Sequence, residues 1–221
     1  MSPNRYALVS CHVERPLDDE VWRRFVSLQR RRPGGFPVIA LVRPPDRAAG
    51  EDEERWLDRA REAAMQAPLG LHTHWTSPTH ARPTGGDPAA RVRDEIEWLR
   101  ARGLEPRLFC GGGWYMDDTV ARVLDEEGLV DCTATTFSPP VPPPHRVVEG
   151  PSDRLLPATH SLGMLARGVF RPLPDYVHAY FHDTDLADAR RRAALGFALR
   201  VLGLRRRPPG ALDAVLSPLQ S

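Results

Sequence analysis

The chain has 221 residues, of which 41% are hydrophobic and 27% charged, with a formal net charge of +1. This composition predicts a single globular domain over 1–221 and excludes both a disordered chain and one recruited to nucleic acid by charge alone. All 30 basic residues are arginines, so chemistry that needs a lysine is excluded, whether a Schiff base or a P-loop amine. Together with 23 prolines and a single asparagine, Asn4, the arginine surplus reads as surface filler from a biased codon supply.

No window offers the 18 or so consecutive apolar residues of a membrane span, and residues 1–10 lack the basic and apolar regions of a secretory signal. Cys11, Cys110 and Cys132 show no metal-binding or redox spacing. Free thiols in a reducing, cytoplasmic setting are the expectation.

In chain order, residues 6–14 form an apolar run that predicts a first strand. Asp18 and Asp19 can then cap and charge a helix to about Arg32, which places Val21, Trp22, Phe25 and Leu28 on one stripe. A second strand follows at 36–42, a helix at 52–66 and a third strand at 68–75. Asp87 opens a helix that Gly103 closes, 107–110 is a short strand running into Gly111-Gly-Gly113, and a helix at 117–127 ends at Gly128. The next strand is expected at 129–134. Prolines then break the rhythm over 138–151, read as a surface loop near the mouth of the site. A strand-like run resumes near Leu155, with Thr159 to Ser161 at the sixth strand and its exit. The last strand is 175–182, after which Asp185 caps a long helix to about Arg206. Repeated βα units predict an α/β fold with a mostly parallel sheet, open or closed into a barrel.

Side chains two apart on a strand share a face. Ser10, His12 and Glu14 therefore point one way, His72 and His74 another common way, and His178, Tyr180 and His182 a third. All crowd toward strand ends, where parallel α/β folds bind ligands. Imidazole plus carboxylate is the ligand set of a catalytic Zn²⁺ or Fe²⁺ that keeps one position open.

Three stretches then resemble a known family: Gly70-Leu-His-Thr-His-Trp75, Phe109-Cys-Gly-Gly-Gly-Trp-Tyr-Met-Asp117 followed by Val120, Leu124 and Gly128, and Tyr180-Phe-His-Asp183. In order and spacing they are similar to the motifs of the NodB-homology polysaccharide deacetylases, carbohydrate esterase family four. That resemblance implies a single distorted (β/α)7 barrel. It also implies a divalent metal, most often Zn²⁺, and hydrolysis of an acetyl group on a sugar or glycoconjugate. It assigns Glu14, His72 and His74 to the metal and His12 to the general base. His182 becomes the general acid, with Asp183 beside it. Trp75, Gly112, Gly113, Trp114, Tyr115, His178 and Tyr180 are expected at the substrate, the glycine turn offering N–H donors to an oxyanion. The chain departs from the family where His12 stands for the usual aspartate, where His74 or His80 must replace a histidine four beyond His72, and where Cys110 stands for a frequent arginine.

Two other readings accompany this one. A barrel that binds a glycan or nucleotide-sugar without turnover is the first, and a hydrolase with Cys110 as nucleophile is the second. His160 is read at the border of the site without a defined role, and Arg190 to Arg192 with Arg205 to Arg207 read as the solvated face and end of the last helix.

Overall fold

The computed structural model describes residues 6–77, 80–133, 155–168 and 170–209. The proline-rich segment 138–151 lies outside them. Seven parallel strands form one curled sheet in the order β5-β4-β3-β2-β1-β7-β6. The strands are β1 (Tyr6–Val13), β2 (Val38–Val42), β3 (Leu69–Thr73), β4 (Pro106–Gly111), β5 (Val130–Asp131), β6 (His160–Ser161) and β7 (Tyr176–His182). Helices α1 (Asp19–Arg31), α2 (Glu53–Ala64), α3 (Pro88–Arg100), α4 (Asp118–Glu127), α5 (Leu162–Gly168) and α6 (Ala189–Arg205) accompany it. Residues 155–161 link the two sheet edges: Leu156 N–H bonds Asp131 O (3.0 Å) and Ala158 N–H bonds Cys132 O (3.0 Å), while Thr159 N–H bonds His178 O on β7 (2.9 Å). The expected (β/α)7 architecture is therefore present.

Aspartates set the helix starts. Asp18 accepts from the amides of Glu20 and Val21 at the head of α1, and Asp52, Asp87 and Asp117 do the same for α2, α3 and α4. Asp185 does not cap α6 as expected. Its carboxylate is taken by His182 N–H (3.0 Å) and Arg191 (2.7 Å), a short 3₁₀ turn over Asp183–Leu186 intervenes, and Asp188 caps the helix instead. β5 is shorter than expected because Thr133 N–H turns onto Asp131 Oδ1 (2.7 Å), which takes the chain off the ladder. The seven-residue α5, which contains Gly163 and ends on Gly168, carried too little periodicity to be expected at all.

The sheet separates two packing layers. Alternate residues such as Val9, Val38, Leu71 and Phe109 meet the helices outside. Leu8, Ile39, Leu41, Leu108, Cys110, Val130 and Cys132 fill the inside of the curl. Gly70 belongs to the inner layer, where a Cβ would lie 2.3 Å from Leu41 Cδ2, so its bare backbone lets two leucines close over it. All three cysteines are buried and unbridged. Among the described residues no helix is long and apolar enough to cross a membrane.

α6 docks on the turn after α1 by a glycine contact: a Cβ on Gly203 would sit 2.3 Å from the Gly34 carbonyl oxygen, whereas one on Gly196 would meet only the flexible end of Arg200. Gly203→Ala should therefore lower stability by about 1–3 kcal/mol through overpacking. Gly196→Ala should raise it by up to about 1 kcal/mol through helix propensity. Urea denaturation of the two variants checks the contrast, and equal effects would contradict it.

Candidate metal and catalytic site

The strand register builds the cluster. β1 and β7 pair so that Ser10 lies opposite Tyr180 and His12 opposite His182, while β3 and β4 pair His72 with Cys110. Glu14 follows the last residue of β1. Its Oε1 lies 3.8 Å from His72 Nε2, 3.6 Å from His74 Nε2 and 3.7 Å from His182 Nε2. The three strand ends thus meet as the side-chain alternation predicts.

His72 is oriented from behind. Its Nδ1 lies 2.9 Å from the Cys110 carbonyl oxygen, which can only accept, so the proton sits on Nδ1 and the Nε2 lone pair faces Glu14 and His74. His74 Nε2 is 3.2 Å from His72 Nε2. The donor atoms of Glu14, His72 and His74 all lie within 4.8 Å of one another. Edges of 3.2–3.8 Å among two imidazole nitrogens and a carboxylate oxygen suit a tetrahedral ion with metal–nitrogen bonds of about 2.0–2.1 Å, so these residues fit a divalent metal. Burial works against the Glu14 charge, but the surrounding imidazoles of His72, His74 and His182 hold its carboxyl well below the usual range.

The backbone of Glu14 is clamped on both sides. Arg43, which ends the loop side of β2, donates Nε–H and Nη2–H to the Glu14 carbonyl (3.3 and 3.2 Å) and is itself held by Glu51 (2.7 and 3.1 Å). Asp183 takes the neighbouring amides, including Arg15 N–H at 2.8 Å and that of Glu14. Burial raises the Asp183 carboxyl to about 6 against the pull of those N–H groups. Asp183 therefore faces the end of β1, not the His182 ring. A ring nitrogen of His182 accepts instead from the Asp185 backbone N–H. The sequence reading missed Arg43. It directly follows β2 as Glu14 directly follows β1, and attention to every strand end would have found it.

His12 stacks on His72 (centroids 4.4 Å apart, 29°) and lies 5.4 Å from both Trp114 and Tyr180. It is 2% exposed, and its Nε2 is buried without a hydrogen-bond partner. Burial and the neighbouring imidazoles keep it neutral by lowering its pKa well below the ordinary value. Trp114, at φ +61°, packs edge-on to Tyr180 (4.9 Å), so both rings border the cluster. His182, 37% exposed, sits at the rim.

Other expected substrate residues turn elsewhere. Trp75 packs in the outer layer against Phe109 and Tyr115 and donates Nε1–H to Gly112 O (3.3 Å), and Tyr115 bonds Asp117. Gly112 is closed over by the Thr73 and Ala81 carbonyls, where a Cβ would come within 2.5 and 2.8 Å, and Gly113 by Arg82, so the glycines serve the close approach of the loop after β3. Gly111 N–H is already given to Thr133 Oγ1 (3.0 Å). His178 lies deeper than the rim, with Nε2 on Ser10 Oγ (2.8 Å) and Nδ1 on Leu156 O (2.8 Å), leaving no nitrogen for a ligand. His80 bonds within its own turn to Ser77, and His160 to Thr159. Cys110 is buried and its thiol pushed well up by desolvation, unlike an activated nucleophile.

No family model matches this sequence, and no curated protein matches it significantly. Solved structures do match. A family 4 carbohydrate esterase from Streptomyces lividans in complex with acetate superposes with a TM-score of 0.58 at 13% identity, over 95% of this chain and 93% of the other. A mutant of a family 4 pseudoenzyme with restored activity gives a TM-score of 0.57 at 15% identity, over 96% and 68%. The fold is that of the family-four esterase barrel. A 4-alpha-glucanotransferase from Thermococcus litoralis also matches (TM-score 0.56, 12% identity, 97% of this chain), but this chain spans only 38% of its length.

The buried imidazoles make stability sensitive to acid. Burial lowers His178 from 6.5 to about 4, so between those values the unfolded chain binds more protons than the fold. Stability is full above about 6.5 and falls as pH drops through that window, by on the order of 3 kcal/mol from this residue alone. Asp183, raised in the fold, acts in the opposite sense and offsets part of the loss. His178→Gln should lose stability at neutral pH yet show a flatter decline between pH 6.5 and 4. Denaturant midpoints measured across that range check it, and parallel curves for variant and parent would contradict it.

Proposed function

We propose that this chain is a metal-dependent hydrolase that removes an acetyl or other acyl group from an N-acetylated sugar or glycoconjugate by cleaving the C–N amide bond. The observation that carries the proposal is the single carboxylate oxygen of Glu14 with three imidazole Nε2 atoms 3.6–3.8 Å away, two from the end of β3 and one from the end of β7. The esterase neighbours support a carbohydrate substrate, and the acetate held by one of them is the acyl product this reaction would release.

Glu14, His72 and His74 would hold the ion, zinc being the best match to this donor set, and when bound it supplies a Lewis acid that polarises the acyl carbonyl and acidifies water. The chain's own groups do the rest. His12 offers its unpartnered Nε2 as proton acceptor in the water-poor interior of the cluster. His182, at the rim and held by the Asp185 amide, is placed to give a proton to the departing nitrogen. Arg43 and Asp183 fix the peptide of Glu14, so its carboxylate is preorganised. Trp114 and Tyr180 supply an aromatic wall for a sugar ring.

Binding without turnover is the second reading, and the same His12 favours it: an imidazole whose pKa burial has lowered is a weaker base than an ordinary one, and it stands where the family has an aspartate. One set of measurements separates the two. Zinc should bind with one-to-one stoichiometry by calorimetry, and Glu14→Ala or His74→Ala should weaken that binding at least about 100-fold. His182→Ala should keep zinc affinity while lowering acetate release about 10²–10⁴-fold. An N-acetylated sugar bound but left without acetate release would select the binding reading, and absence of stoichiometric metal would reject the metal-dependent hydrolase.

A further inference from the structure

The arginines of this chain are not all filler. Many surface ones face a carboxylate: Arg30 meets Glu62 (3.0 Å), Arg93 meets Glu126 (2.7 Å) and Arg100 meets Glu105 (3.0 Å). The cleft between α1 and α6 differs. It has a volume of about 640 Å³ and is lined by Arg23, Arg24, Arg31, Arg32, Arg192 and Arg200, with no acidic residue in its wall. Among the described residues, only Arg24 of these has an acidic partner, Glu20. The others bond backbone oxygens or nothing: Arg31 the Ser27 carbonyl, Arg32 that of Gln66, Arg200 that of Gly196.

A second observation shows that the charges are held together rather than dispersed. Arg24 and Arg192 come from different helices yet converge on the same two carbonyls. Leu186 O accepts from Arg24 at 2.9 Å and from Arg192 at 2.6 Å, and Ala187 O accepts from them at 2.9 and 3.0 Å. Two guanidinium groups sharing one acceptor repel each other, and a bound anion relieves that repulsion. Leu28, Pro33, Leu186 and Ala193 give the floor an apolar character.

From these features we infer that the α1–α6 cleft is a binding site for a compact organic di- or triphosphate. Arginine forks pair with phosphate oxygens in bidentate fashion, and several cations without competing carboxylates suit more than one phosphate. The concave, bounded shape selects a small ligand: a duplex or a planar bilayer would meet the exposed Arg23, Arg31, Arg32 and Arg200 and leave the half-buried Arg24 and Arg192 unused.

Calorimetric titration of the intact protein with inorganic tripolyphosphate tests the inference. One-site binding that weakens with added salt is expected, and the triple variant Arg23→Gln, Arg31→Gln, Arg200→Gln should weaken it at least about tenfold. All three are exposed side chains, so folding is not at stake, and circular dichroism confirms it. Arg61→Gln, Arg93→Gln, Arg122→Gln removes equal charge elsewhere and should leave affinity within about twofold. Glu14→Gln should bind tripolyphosphate as the parent does, which separates this cleft from the imidazole cluster. Absence of binding, equal loss in the two triple variants, loss on Glu14→Gln, or binding to phosphatidylglycerol vesicles or a short DNA duplex in preference to tripolyphosphate would each overturn the inference.

Discussion

An ionised carboxylate held among buried imidazoles is the constraint on which the rest of this molecule turns. Glu14 stays charged among the imidazoles of His72, His74 and His182, and the first two rings stay buried because the sheet register brings β1, β3 and β7 to one rim. Two of the imidazoles are fixed from outside the cluster, His72 by the Cys110 carbonyl and His182 by the Asp185 amide. Backbone groups, which cannot be changed by substitution, thereby set the tautomers and directions of the functional rings. A barrel supplies such carbonyls and amides at every strand end, which is why this architecture suits a polar cluster inside an otherwise apolar curl.

The halves of that curl differ in chemistry. Toward β2 to β5 the inner layer is Ile39, Leu41, Leu108, Val130 and Cys132, and toward β1 and β7 it is Ser10, His12, His178 and Tyr180. The polar half survives burial because most of its groups bond one another or the backbone. His178 joins Ser10 to Leu156 across the interior and carries no charge. His12 is the exception, with a nitrogen left over, and an orphaned polar atom beside a candidate reaction centre is where spare chemistry is expected.

Much of this was legible in the sequence because two periodicities are reliable: the alternation of strand side chains and the recurrence of aspartate before helices. Alternation placed Glu14, His72, His74 and His182 together, and the resemblance to the deacetylases gave the same barrel that the solved esterases superpose on. Alternation does not report depth, however, so His178, two residue pairs below His182, read as a rim residue when it is an interior tie. Nor does it hold beyond the first residue past a strand end. Trp75 lies two residues beyond β3, where the chain has already turned, and its ring falls into the outer layer. The glycine turn misled for another reason: a glycine that lets a ligand approach and one that lets a loop approach are identical in sequence. Charge was the least legible, since counting arginines does not say which of them find a carboxylate.

The join made by residues 155–161 has its own consequence. β1 and β7 are held by seven paired positions, whereas this crossing rests on two-residue strands and a few flanking bonds. Breathing of the ring of strands therefore starts along that seam, and amide protons there exchange before those of β1. Because the seam carries the Leu156 carbonyl that tethers His178, each opening briefly unmoors an imidazole, and solvent enters the hollow on its polar side while the leucine side stays dry.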